Sequence, residues 1–266
     1  MSNLVNCQAG TLALDFDGVI CDGLREYFQA SWVAYRQIWP TSVKTPPPAL
    51  EAQFKTLRPI VTHGWEMPLV LRGLIKGYRL REIQSNWSTI KQRILTEEDL
   101  NWRHLGQTLD RIRDEWIKRD WQGWLGLHQF YPGVVAQLQA WEKLALPLVI
   151  ITTKETRFVE YLLTQAQVNC PSLGIYGKDC QQTKVEVLLK LQDRVSLPIW
   201  FVEDRLEALQ SVEREPRLNQ VQLFLAAWGY TTVATCTQAQ ADSRITLLQL
   251  DQFCQDFSTW MPKEIP

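Results

Sequence analysis

Short apolar runs recur along the chain at residues 11–16, 147–152, 173–176, 197–202 and 221–226, and none alternates as a half-exposed strand would. They predict strands buried on both faces of a parallel sheet. Between them, residues 133–144, 155–165, 184–192 and 206–213 repeat their apolar positions at helical spacing. Strand and helix in regular alternation predict an α/β fold with a doubly wound parallel sheet. Ligands of such sheets bind at the carboxyl ends of the strands, so the residues just after each run carry the most interest.

Residues 24–128 break the alternation. They are helical in period at 24–38, 65–76, 80–94 and 98–120, with Thr45-Pro46-Pro47-Pro48 as a turn or extended linker. The segment falls between the first and second core strands, in place of a short crossover. The expected organisation is therefore an α/β core at 1–23 and 129–266 with an inserted all-helical cap domain at 24–128.

Composition sharpens this division. The 266 residues are 45% apolar, which suits a packed core and excludes a disordered or fibrous chain. The net charge of −1 gives no reason to expect a nucleic-acid or anionic-membrane partner. That near-neutrality conceals an uneven distribution: residues 24–128 hold sixteen basic and eleven acidic side chains, and the rest of the chain twelve and eighteen. All three histidines and eight of the twelve tryptophans also lie in the middle segment. The tryptophans fit a packed helical core, with ligand stacking as the alternative. His63, His104 and His128 have no ligand spacing.

No secretory signal or membrane-spanning run is visible, so a soluble, cytoplasmic protein is expected. Cys7, Cys21, Cys170, Cys180, Cys236 and Cys254 form no CxxC pair and read as reduced thiols. The sequence leaves monomer and homodimer equally open.

The first predicted strand runs into Asp15-Phe16-Asp17-Gly18-Val19. Acids two apart in an extended segment face the same side, about 6–7 Å apart, and repel unless a cation or a proton intervenes. Alone, the pair also suits a solvated turn. Thr152-Thr153-Lys154 follows the second strand, fit either for a phosphate or for capping the next helix. Lys184 opens the helix after the third strand. Glu203-Asp204 follows the fourth, as a helix cap or as a second acid pair. Acid pair, hydroxyl, lysine and acid pair would converge on one crevice.

In this order the residues resemble the haloacid dehalogenase-like hydrolases, in the branch with a helical cap after the first strand. Asp15 to Val19, Thr152, Lys184 and Glu203-Asp204 match the four motifs of that superfamily. Tyr131-Pro132-Gly133-Val134 and Trp228-Gly229-Tyr230 look like its phosphoglycolate phosphatase group. The resemblance implies that Asp15 is the nucleophile of an aspartyl-phosphate pathway and Asp17 the general acid–base. It implies that Thr152, Thr153 and Lys184 hold the phosphoryl group. It also implies Mg2+ held by Asp15, Asp17 through its carbonyl, and Asp204, with Glu203 as a neighbouring or alternative ligand. The expected activity is a magnesium-dependent phosphatase for a small phosphorylated metabolite.

Asp17 favours phosphoryl over halide chemistry, because a halide needs no general acid. A phosphonatase would need a cap lysine, and nothing marks Lys44, Lys55 or Lys76 for this. Arg58, Arg72 and Arg79 are candidate substrate contacts in the basic segment. The alternatives are a phosphomutase, or a binding factor that docks a protein through the tryptophan-rich cap.

Overall fold

The computed structural model describes residues 10–195 and 198–260. Cys7 and Leu197 lie outside them. The chain forms two compact units, one built from its two ends, described at 10–22 and 129–260, and the other from Gly23–His128.

The first unit is built on six parallel strands: β1 (Thr11–Leu14), β4 (Leu148–Ile151), β5 (Ile175–Tyr176), β6 (Ile199–Glu203), β7 (Gln222–Ala226) and β8 (Ile245–Leu248). Their order is β5-β4-β1-β6-β7-β8, so the first strand made lies inside the sheet. A separate antiparallel ribbon pairs β2 (Cys21–Asp22) with β3 (Gln129–Phe130), where the chain leaves this unit and returns to it. The helices are α6 (Val134–Lys143), α7 (Thr156–Gln165), α8 (Lys184–Gln192), α9 (Leu206–Glu213), α10 (Val233–Ala241) and α11 (Leu250–Phe253).

Alternation along the strands divides the core into two layers. Ala13, Val149, Phe201 and Leu225 pack with α8, α9 and α10 through Leu188, Leu209 and Ala239. Trp200 and Phe224 turn the other way, into an aromatic cluster with Trp141 of α6, Phe253 of α11, Phe257 and Trp260. Strands with side chains buried on both faces need continuous apolar sequence, and this is why the runs lacked alternation.

The observed strands are shorter than their runs: β1 stops before Asp15 and Phe16 and β4 before Thr152, while β6 runs on to Glu203. Helices α8 and α9 begin and end where the periodicity places them. Three features carried no readable signal: β8, the two-residue ribbon, and α10, which buries only Ala239.

The second unit is helical, with no strand among its described residues: α1 (Leu24–Ile38), α2 (Leu50–Leu57), α3 (Met67–Ile75), α4 (Leu80–Glu97) and α5 (Trp102–Leu125). Helix α2 went unread behind the prolines, although Leu50, Phe54 and Leu57 form a buried stripe at helical spacing. Acids set among cations brace the unit, Glu26 and Glu66 buried and Glu98 half-buried. Glu26 takes both arms of Arg113, at 2.7 and 3.0 Å, and the Trp124 indole N–H donates to it. Glu66 receives the Trp87 indole N–H at 2.7 Å and pairs with Lys91 at 3.1 Å and with His63 at 3.2 Å. Glu98 receives the Trp39 indole N–H and pairs with Arg72 and Lys76. Most of the tryptophans thus serve packing and buried hydrogen bonds, with Trp102 and Trp121 exposed.

No helix is long and apolar enough to cross a membrane among the described residues. Five cysteines, Cys21, Cys170, Cys180, Cys236 and Cys254, are unpaired.

Candidate active site

Strand register determines which acids meet. Leu14 pairs with Val202, and the Asp15 amide donates to the Val202 carbonyl at 2.9 Å, so one step further along the sheet Asp15 and Glu203 stand side by side. Asp15, Glu203 and Asp204 are all buried, and each offers an oxygen within 4.8 Å of the others.

Lys184 joins two of them. The capping box of α8 makes Lys184 the first helical residue: Thr183 Oγ1 accepts from the Glu186 amide, and the Glu186 carboxylate accepts from the Thr183 amide at 2.7 Å. From there Lys184 Nζ reaches Asp15 Oδ1 at 2.9 Å and Glu203 Oε2. Burial opposes its charge, yet Asp15 and Glu203 hold its pKa above the ordinary lysine value.

The hydrogen bonds of Glu203 define its part. Its Oε2 meets Lys184, while Oε1 accepts the amides of Asp204 and Arg205 at 3.1 and 3.0 Å. The side chain thus closes the turn after β6 and steadies the lysine. Burial and then Asp204 push its carboxyl up, Lys184 pulls it down, and the result is about 7. Asp15 is also raised to about 7, by burial and then by Glu203, against the pull of Lys184.

Asp17 follows β1 as an isolated bridge residue opposite Cys21. Its Oδ1 lies 3.1 Å from Lys154 Nζ, and Lys154 is largely buried. Lys154 was visible in Thr152-Thr153-Lys154, but only the fold reveals its direction: a lysine at a helix approach usually points to solvent. Thr152 is buried after β4, where its amide donates to the Tyr176 carbonyl and its hydroxyl accepts from the Lys154 amide at 3.2 Å. Thr153 is exposed. Asp15, Lys184, Glu203 and Asp204 are thus in direct association, Asp17 is held by Lys154, and Thr152 stands at the end of the adjoining strand.

Gly18 has φ +90°, and a Cβ there would fall 2.0 Å from Asp204 Oδ2. Only glycine combines that backbone with that approach. The site residues fit a divalent cation. Asp15, Glu203 and Asp204 bring three buried carboxylates within 4.8 Å of one another, with the Asp17 carboxylate held by Lys154, an oxygen donor set of the kind a hard divalent ion takes.

In the helical unit, Arg72 is engaged by Glu98 and lies over the Trp39 ring, and Arg58 donates to the Val61 carbonyl. Arg79 is exposed. Two of the three arginines that sequence marked for substrate therefore also have structural work inside their own unit.

The sequence matches no protein-family model and no curated protein. Its fold is nevertheless shared with solved structures along nearly the whole chain. A protein of Bacteroides fragilis, assigned as a haloacid dehalogenase-like hydrolase, superposes with a TM-score of 0.59 at 16% identity, covering 92% of this chain and 99% of the other. A haloacid dehalogenase-like family hydrolase of Streptococcus pneumoniae gives 0.56 at 16%, covering 91% and 94%. A protein of Lactobacillus delbrueckii subsp. bulgaricus, assigned as a phosphoglycolate phosphatase, gives 0.57 at 12%, covering 91% and 95%. The chain thus has the haloacid dehalogenase-like hydrolase fold, a six-stranded parallel Rossmann-type sheet with a helical unit inserted after its first strand.

Proposed function

We propose that the protein is a magnesium-dependent phosphatase acting on a small phosphorylated metabolite through an aspartyl-phosphate intermediate. The observation that carries this reading is the buried association of Asp15, Lys184, Glu203 and Asp204, with Asp17 beside Lys154, at the carboxyl ends of β1, β4 and β6. The fold neighbour assigned as a phosphoglycolate phosphatase makes phosphoglycolate the first substrate to try.

In this reading a carboxylate oxygen of Asp15 attacks phosphorus, and its O–P bond forms as the ester P–O bond breaks. Asp17 gives a proton to the departing alkoxide. Water then attacks the aspartyl-phosphate, Asp17 takes the proton back, and phosphate leaves with Asp15 restored. Thr152, Thr153 and Lys184 hold the phosphoryl oxygens, and the ammonium of Lys184 offsets charge as it spreads over them. Glu203 keeps Lys184 on Asp15. Asp15, the Asp17 carbonyl and Asp204 would hold Mg2+, with Glu203 adjoining. The ion supplies charge neutralisation for the phosphoryl group and relieves the crowding of the acids.

The core 1–23 and 129–266 is thereby assigned the chemistry and the cap 24–128 the choice of substrate. The test is phosphate release from p-nitrophenyl phosphate and from phosphoglycolate. Turnover should require magnesium and fall at least a thousand-fold in Asp15→Asn, while the far-ultraviolet spectrum stays unchanged. Wild-type protein that releases no phosphate from any of a metabolite panel overturns the reading.

A further inference from the structure

The turn after β7 carries Trp228-Gly229-Tyr230, and it touches residues from two other strand ends at once. The Trp228 indole N–H donates to the Val19 carbonyl at 3.0 Å. The Tyr230 amide donates to Asp204 Oδ2 at 2.8 Å, and its hydroxyl to Asp22 Oδ1 at 3.0 Å. At Gly229 the backbone comes so close that a Cβ would lie 2.3 Å from the Asp204 Cβ and 2.5 Å from the Gly18 carbonyl oxygen. The sheet order makes this reach notable. The turn leaves β7, grips Asp204 beyond neighbouring β6, and extends to the loop that follows β1, two strands away.

The turn is itself anchored. Trp228 packs against Phe253 at 5.2 Å and meets Tyr131 edge-on at 6.5 Å, and Phe253 belongs to the aromatic cluster on Trp141 and Trp260. The backbone hydrogen bonds of the loop it holds are mainly local: the Gly18 amide on the Cys21 carbonyl, the Ile20 and Cys21 amides both on the Phe16 carbonyl, and the two-residue ribbon with β3. Phe16, Val19, Ile20 and Cys21 are buried. The loop's register with the other strand ends is set by contacts from outside it, Lys154 on Asp17 and the donors of the Trp228 and Tyr230 turn.

We propose that Trp228 and Tyr230 are positioning residues, and that their turn is a clamp. It holds the loop of Asp17 and Gly18 in fixed register with Asp204, so that the acid–base group and the candidate metal acid keep one geometry. The inference rests on the phosphatase reading for its catalytic consequence and on the hydrogen bonds alone for its mechanical one. A displacement of about 1 Å in a reacting group costs on the order of a hundred-fold in rate, so partial loosening should be visible in turnover.

The test uses Trp228→Phe and Tyr230→Phe in the full chain. Each keeps an aromatic ring and removes one hydrogen-bond donor. Amide hydrogen exchange should quicken at Gly18, Ile20 and Cys21 about ten-fold more than at the β6 amides, which report any global loss of stability. With p-nitrophenyl phosphate, kcat should fall about ten-fold in each variant while KM moves less than about two-fold. A purely structural role would raise exchange equally in the loop and in β6, and that result, or an unchanged loop, overturns the clamp. Selective loop exchange in a protein whose wild type shows no turnover upholds the clamp and overturns the phosphatase reading. Unchanged loop exchange in an active enzyme does the reverse.

Discussion

Glu203 of the sheet unit and Glu66 of the helical unit are both fully buried, yet their carboxyls move in opposite directions. Glu203 is pushed up to about 7 by burial and by Asp204, against Lys184. Glu66 is equally closed to solvent but lies less deep, and against that burial the Trp87 indole, Lys91 and His63 together hold it below the ordinary glutamate range. The difference lies in depth and in the neighbours. Glu26, Glu66 and Glu98 of the helical unit each have their own donors, whereas Asp15 and Glu203 of the sheet unit share one lysine. The three helical-unit acids are matched where they stand; Asp15 and Glu203, raised to about 7 and sharing the Lys184 ammonium, would be favoured in their ionised forms by a divalent ion.

The strongest way to break this comparison is to make the helical unit unbalanced. Arg113→Ala would strand Glu26, which is 1% exposed. Losing one partner of a buried pair costs about 3–5 kcal/mol, and urea unfolding followed by tryptophan fluorescence should show it. Replacing both residues by methionine should recover most of the loss, since no charge then remains uncompensated. A single variant within about 1 kcal/mol of wild type would mean that Glu26 finds water, and the contrast would fail.

A smaller effect tests the other side. Magnesium at ten times its dissociation constant should stabilise the wild type by about 1.4 kcal/mol, read as a rise in the thermal midpoint. Asp204→Asn should abolish the rise. Equal stabilisation of both proteins would place the ion elsewhere.

The smallest expected effect is an acid slope. Glu66 and Glu98 have folded-state pKa values below the unfolded one, burial being outweighed at Glu98 by Lys76, Trp39 and Arg72. Their stabilisation is therefore complete above the unfolded carboxylate value of about 4.3 and is lost as pH falls through the folded one. Stability measured downward from about pH 5 should drop, and less steeply in Glu66→Gln and Glu98→Gln. An unchanged slope in both variants would show that these acids are not specially held.

Sequence made the sheet unit legible because strands buried on both faces must be continuously apolar, and because its chemistry sits at their ends. The elements that escaped have physical reasons to do so. β8 is an edge strand with half-exposed positions, the β2–β3 ribbon is too short to have a period, and α10 hides only Ala239. At the site, residue types announced Asp15, Lys184 and Asp204, but the direction of a side chain is a property of the fold. Lys154 could have pointed to solvent and instead meets Asp17; Glu203 is engaged at both oxygens. The Trp228-Gly229-Tyr230 turn was readable as a resemblance, while its three hydrogen bonds depend on which strands lie side by side.

The place of β1 in the sheet has a consequence for how the chain is made. Leu12, Ala13 and Leu14 leave the ribosome before any of their partners, and their neighbours β4 and β6 follow only after the whole of Gly23–His128. The helical unit, whose contacts are contiguous in sequence, can form on its own during that interval, while an apolar strand waits unpaired. Closing so long a loop adds little entropy beyond a shorter one, because the cost grows only with the logarithm of its length. The burden of the insertion therefore falls on time: β1 is the segment most exposed to premature association, and a chaperone that binds early in synthesis would have most to gain there.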